Sequence, residues 1–275
     1  MRRILIPCDF SRQSNEAYSM AINLASQSKG KIILLHVLPP VTGYLAEPLV
    51  FDPGYSTESE EDVKKALEKM KEMADPKSIN VATQVAYGDL VSCIKNVIES
   101  EKIDLVVMGT SGASGIEEIF IGSNTEKIVR FSSVPVLAVR TSAEPKLIKN
   151  ILLPSTLDLN QSDFIKKIKE LQSFFDATLH VLLVNTPAQF KRDLEGNEGL
   201  EEFVKHYNLE NYKLHFRSYR REDDGIIDFA YSEKMDLIAM ATHARSGLAH
   251  VFNGSTTENV VNHIQIPIWT YHLKT

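Results

Sequence analysis

Gly109, Gly112, Gly122 and Ser123 are the residues of this chain whose types and spacing most directly point to chemistry, with nine residues between Gly112 and Gly122. They follow the apolar run Ile103–Met108 and precede a helical pattern over 124–131. A glycine turn that leaves a buried strand and opens a helix is a phosphate-binding geometry. Glycine reaches positive φ and presents no Cβ to an approaching ligand. The N–H groups left unpaired at a helix start, at the positive end of its dipole, then hold the anion. The pattern is not a Walker A loop, since no Gly-Lys-Ser/Thr is present, and it is not the short dinucleotide fingerprint GxGxxG. The alternative is a loop whose glycines serve tight turns and nothing else.

Asp9 closes the first apolar run, Ile4-Leu5-Ile6-Pro7. A carboxylate there can accept hydrogen bonds from ribose hydroxyls or from an adenine amino group. Equally, Asp9 or Ser11 can cap the helix that follows. Glu117 and Glu118, inside the nine-residue spacer, read as a solvated loop face, with Mg²⁺ beside phosphates as the second option. The eight histidines show no HxxH or HExxH spacing; His36 reads as a strand residue, and His243 lies in a second copy of the glycine region. No Ser-His-Asp arrangement or carboxylate pair stands out, so no catalytic residue and no metal ligand is assigned.

These residues need elements to position them, and the chain supplies the set twice. Ile4–Pro7 recurs as Ile151–Pro154, Asp104–Met108 as Asp236–Met240, and Val134–Leu137 as Ile266–Trp269. The first pair is offset by 147 positions and the other two by 132, so the second half is 15 residues shorter, in its middle. A period this long is duplication of a whole domain. Two domains are expected, over 1–142 and 148–275, joined at the polar stretch 141–149. Short apolar runs alternate with helical stripes: Ala17, Ala21, Leu24 and Ala25; a strand at 31–38; Val63, Ala66, Leu67, Met70 and Met73; a strand at 81–87; and Leu90, Val91, Ile94, Val97 and Ile98. This alternation predicts an α/β fold with a mostly parallel sheet and right-handed crossovers. If the strands ending at Asp9 and Gly109 are central neighbours, both features meet at the topological switch point. Residues 39–61, rich in proline, glycine and acid, read as a long loop, either a lid or plain surface.

Composition narrows the class. Hydrophobic content of 43% and charged content of 24% are those of a soluble globular protein. No run approaches the roughly 18 apolar residues of a membrane helix. The net charge of −6 argues against nucleic-acid binding. The N-terminus has no secretory pattern, and the two cysteines, Cys8 and Cys93, form no framework, so a cytoplasmic location is expected.

The motifs Ile-Pro-Cys-Asp-Phe-Ser, Leu-Leu-His-Val, Val-Met-Gly-Thr-Ser-Gly with Ile-Gly-Ser, and Val-Pro-Val-Leu-Ala-Val resemble those of the universal stress proteins in their tandem form. The glycine spacing is similar to that family's ATP-binding motif, G-x2-G-x9-G-[S/T]. The resemblance implies five-stranded Rossmann-like domains, helices on both faces, and a dimer through the last strand. In a tandem chain that dimer is an internal pseudo-dimer, with a homodimer of whole chains as a further option. It also implies that Gly109, Gly112, Gly122 and Ser123 hold phosphates and ribose, while Asp9 and the backbone of Val37 hold the adenine and ribose side of ATP, ADP or AMP. Many members carry His and Arg in the glycine loop; here Ser111 and Ala113 stand there, with Glu117 and Glu118 following. Triphosphate charge would then call on Mg²⁺ or on Lys127 and Arg130, which favours AMP or ADP. In the second half Thr156 stands at the Asp9 position and Ala241 and Ala244 replace two glycines, although His243, Arg245, Gly254 and Ser255 remain. The expectation is a nucleotide-binding first domain, a degenerate second domain and a stress-sensing role. The rivals are a non-binding interaction module and a slow Mg-dependent ATPase.

Overall fold

The computed structural model describes residues 1–39, 59–74, 79–110, 122–140, 148–243 and 256–273. Gly112, Ser111, Ala113, Glu117, Glu118, Ala244, Arg245, Gly254 and Ser255 lie outside them, as do residues 40–58 and 141–147 of the expected loop and join.

The first half runs β1 (Arg3–Pro7), α1 (Arg12–Ser28), β2 (Lys31–Leu38), α2 (Glu60–Lys71), β3 (Asn80–Tyr87), α3 (Leu90–Ser100), β4 (Leu105–Gly109), α4 (Ser123–Phe131) and β5 (Val136–Val139). The second runs β6 (Asn150–Pro154), α5 (Ser162–Phe175), β7 (Thr178–Asn185), α6 (Asp193–His206), β8 (Tyr212–Ser218), α7 (Glu222–Ser232), β9 (Leu237–His243), α8 (Thr256–His263) and β10 (Ile268–Leu273). Forty-one residues separate β2 from β3 and 26 separate β7 from β8, so the whole 15-residue shortening falls in that one connection. Two details differ from the periodicity: α2 stops at Lys71 and leaves Met73 exposed, and the last strand of the first half starts at Val136, after Pro135.

All strands join one ten-stranded sheet in the order β3-β2-β1-β4-β5-β10-β9-β6-β7-β8. Every pairing is parallel except β5 with β10. The inner strands β1, β2, β4, β5, β6 and β7 are buried on both faces, whereas the edge strands β3 and β8 are partly exposed, and alternate residues serve opposite layers. Ile4, Ile6, Ile32, Leu34, Leu105 and Val107 join the core under α1 and α2, while Leu5, Ile33, Leu35, Val106 and Met108 join the core under α3 and α4. The first of these cores continues without a break beneath α5 and α6, whereas α7 and α8 cover a separate core of the second half.

The antiparallel junction is centred on the pair Leu137–Trp269, with Val136 facing Thr270 and Ala138 facing Ile268. Leu137 and Trp269 are equivalent by the 132-residue offset, so the two last strands meet self-complementarily, as in an isologous contact. Trp269 is buried and stacks on Phe164 and Tyr271.

Candidate functional site

β1 and β4 are direct neighbours, with Ile4 opposite Leu105 and Leu5 opposite Val106. β1 is followed by α1 on one face and β4 by α4 on the other, so a crevice opens where their carboxyl ends part. A cleft of about 610 Å³ lies there, lined by Asp9, His36, Val37, Gly109, Gly122 and Ser123 among others. Five of the six expected site residues are thus brought together; Gly112 is outside the described residues.

Each is placed for a physical reason. Gly122 is the residue preceding α4, and among the described residues no side chain caps that helix. By helix geometry the N–H groups of Ser123, Asn124 and Thr125 have no intrahelical acceptor, and all three residues line the cleft. The start of α4 is pinned to the end of β4 by Thr125, whose hydroxyl donates to the carbonyl of Gly109 at 2.7 Å. Thr257 does the same to Ala241 at 3.4 Å in the second half. This latch was legible only as a threonine recurring 16 positions after Gly109 and again after Ala241.

The direction of the Val37 backbone groups follows from strand parity. In a parallel strand the N–H and C=O of one residue point to the same side, and successive residues alternate. The carbonyl of Leu35 accepts from Cys8 on the β1 side, and that of Leu38 accepts from Gly88 on the β3 side. Val37 shares the parity of Leu35, so its backbone groups face the space beyond Pro7, where β1 has ended.

Of the two candidate caps for α1, Asp9 and Ser11, the structure selects Ser11. Ser11 caps α1, its hydroxyl accepting from the N–H of Ser14 at 3.1 Å. The Asp9 carboxylate accepts from the N–H of Ser11 at 3.0 Å and remains exposed at the cleft wall. Behind it, Phe10 takes φ 60° and stacks on His36. Cys8 is buried between Ser14 and Met70, and desolvation pushes its thiol up from the ordinary range, which makes it an inert packing residue.

Two expectations about the glycines and cations are corrected. Gly109 and Gly122 do not have positive φ; among the described glycines only Gly88, at φ 130°, does. Gly109 is required instead by packing, because a Cβ there would stand 2.7 Å from the backbone of Gln13 on α1. Arg130 is not among the described residues that line the cleft. It lies in the last turn of α4, over the ring of Phe131 at 5.4 Å. Lys127 is closer to the site's mouth, where its charge helps Ser92 hold the Asp89 carboxyl below the usual range. Among the described residues no three His, Cys, Asp or Glu side chains gather as a metal site.

The second half departs from this arrangement at matching positions. Thr156 and Leu183 stand where Asp9 and His36 are. Glu222 and Asp223, at the start of α7, stand where Leu90 and Val91 are. Glu222 accepts from the Thr256 hydroxyl at 3.0 Å, and Asp223 accepts from Asn259 at 2.9 Å while bound by both nitrogens of the Arg221 fork. Carboxylates of the chain itself therefore brace the first turns of α8.

The model of the universal stress protein family fits this chain twice, over residues 1–140 and 148–272. The chain belongs to the universal stress protein family. A universal stress protein of Methanocaldococcus jannaschii is 33% identical over 144 residues, 50% of this chain and 82% of that protein. One of Bacillus subtilis is 30% identical over 145 residues, 50% of this chain and 98% of that protein. The crystal structure of a universal stress protein from Archaeoglobus fulgidus covers 98% of this chain and 97% of its own, with a TM-score of 0.76 at 20% identity, a likeness of fold. The tandem form of the family thus accounts for both halves. Among the described residues no helix is long and apolar enough to cross a membrane.

Proposed function

We propose that the first half binds an adenine nucleotide and that the chain acts as a stress-response sensor or regulator in the cytoplasm. The observation that supports this most is the uncapped start of α4 facing Asp9 and the backbone of Val37 across one cleft. A nucleotide needs N–H donors at its anionic end and acceptors at its ribose and adenine end. Ser123, Asn124 and Thr125 offer the former; the Asp9 carboxylate and the Val37 carbonyl offer the latter. Gly112 completes the set by the family motif. AMP or ADP is favoured, since Ser111 and Ala113 stand where many members carry His and Arg, and Arg130 lies in the last turn of α4, far from its start; Mg²⁺ would be the further counter-charge for ATP. The second half is structural, its α8 start already braced by Glu222 and Asp223, and the twofold junction at Leu137–Trp269 makes the chain its own pseudo-dimer.

The test is to denature the purified chain and identify released nucleotide by mass spectrometry, with titration calorimetry against ATP, ADP and AMP. Gly122→Val and Asp9→Asn are the informative variants, because Gly109 also serves packing. Nucleotide carried by wild type and lost from the variants supports binding. No release and no heat favour an interaction module, and release of ADP after loading with ATP favours hydrolysis.

A further inference from the structure

Asp9 sits between two residues that are both held by one side chain. The Nδ1 of His36 lies 2.8 Å from the carbonyl of Cys8; a carbonyl only accepts, so Nδ1–H donates. The ring of Phe10 stacks on the same imidazole, with centroids 4.8 Å apart and planes 17° from parallel. Cys8 is thus tied through its backbone and Phe10 through its ring, and Asp9 is clamped between them. His36 also precedes Val37, so the clamp joins the two walls that face the cleft.

The second half acts as an internal control. Leu157, equivalent to Phe10, has φ 65° against 60°. The left-handed turn therefore forms without an aromatic pair and belongs to the fold. Leu183, equivalent to His36, can make neither the stack nor the hydrogen bond. There the Ser155 hydroxyl accepts from the N–H of Leu157 at 3.0 Å and braces the turn locally. The Phe–His pair is present in the half that carries Asp9 and absent from the half that carries Thr156.

We propose that Phe10 and His36 are positioning residues that hold the Asp9 carboxylate toward the donor groups of a bound nucleotide. This rests on the nucleotide reading of the cleft. The turn keeps its shape without them, but the carboxylate then samples directions that a bound ligand has to narrow, which lowers affinity.

The experiment is a double-variant cycle on the full chain, with ATP binding measured by calorimetry for wild type, Phe10→Leu, Asp9→Ala and the pair. Phe10→Leu installs the residue that the second half carries at the same φ, and thermal unfolding checks that it folds. The expected result is a loss of about tenfold for Phe10→Leu when Asp9 is present and less than twofold when it is absent, with affinity restored by Phe10→Tyr, which keeps the stack. Equal losses in both backgrounds, or no loss, overturn the proposal while leaving nucleotide binding intact. A wild type that takes up no ATP, ADP or AMP overturns both.

Discussion

Gly109 at the end of β4 lies against Gln13 in the first turn of α1 so closely that a Cβ on it would stand 2.7 Å from Gln13 backbone atoms. That contact gives a motif glycine a packing duty. Gln13 is equivalent to Asn160, which precedes α5 (Ser162–Phe175), whereas α1 already begins at Arg12. The second half has no helical turn at the place where α1 presses on Gly109, and Ala241 is tolerated there. Gly109→Ala is expected to destabilise the first half by about 1–3 kcal/mol through overpacking against backbone. Scanning calorimetry would register this as a lowered transition even without nucleotide. An unchanged transition would return Gly109 to a purely ligand-facing role.

Asp9→Asn is expected to weaken nucleotide binding about tenfold, the loss of a charged acceptor, while leaving stability close to wild type. The amide oxygen of asparagine can still accept from the N–H of Ser11, and Ser11 rather than Asp9 caps α1. Calorimetric titration beside thermal unfolding separates the two quantities. A large fall in stability with unchanged affinity would make Asp9 a turn residue.

Acid is expected to weaken the second half through His180 and His215. Their ring nitrogens meet at 3.1 Å, and the other nitrogen of His180 lies 3.2 Å from the amide oxygen of Asn150. Burial, then His180 itself, pushes His215 down to about 4, and burial lowers His180 as well. Both are neutral when folded and gain a proton when unfolded. Their contribution is complete above the ordinary histidine value of about 6.5 and is lost as pH falls toward 4. Urea midpoints should decline across that window. His215→Phe, which keeps a ring against Phe229, should flatten the decline. An identical slope in that variant would assign the effect to carboxylates elsewhere.

Asp223 on α7 ties Arg221, the residue before that helix, to Asn259 on α8 and is buried. Asp223→Ala removes the buried carboxylate that both partners share and is expected to cost about 1–3 kcal/mol. Nucleotide uptake by the first half should not change. Reduced uptake would show that the halves are coupled through the shared sheet.

Much of the fold is written in the order of residues along the chain. Duplication, the βα alternation and the 15-residue deletion follow from recurring apolar runs, because strands buried on both faces must be continuously apolar and helices must present a stripe. The glycine spacing and Asp9 pointed to the ends of β1 and β4, where a doubly wound sheet parts and where the structure has a cleft. Met73 misled because an apolar residue can continue a helical spacing past the point where the helix stops.

What only the tertiary structure decided depends on distance between segments remote in sequence. Gln13 against Gly109, the parity that turns Val37 toward the space beyond β1, the Phe10–His36 stack and the exposure of Asp9 at the cleft wall all arise when crossover connections bring separate strand ends together. Local residue preferences do not encode those distances. The sequence determined that a glycine stands at 109; the packing of α1 onto β4 decided why it must.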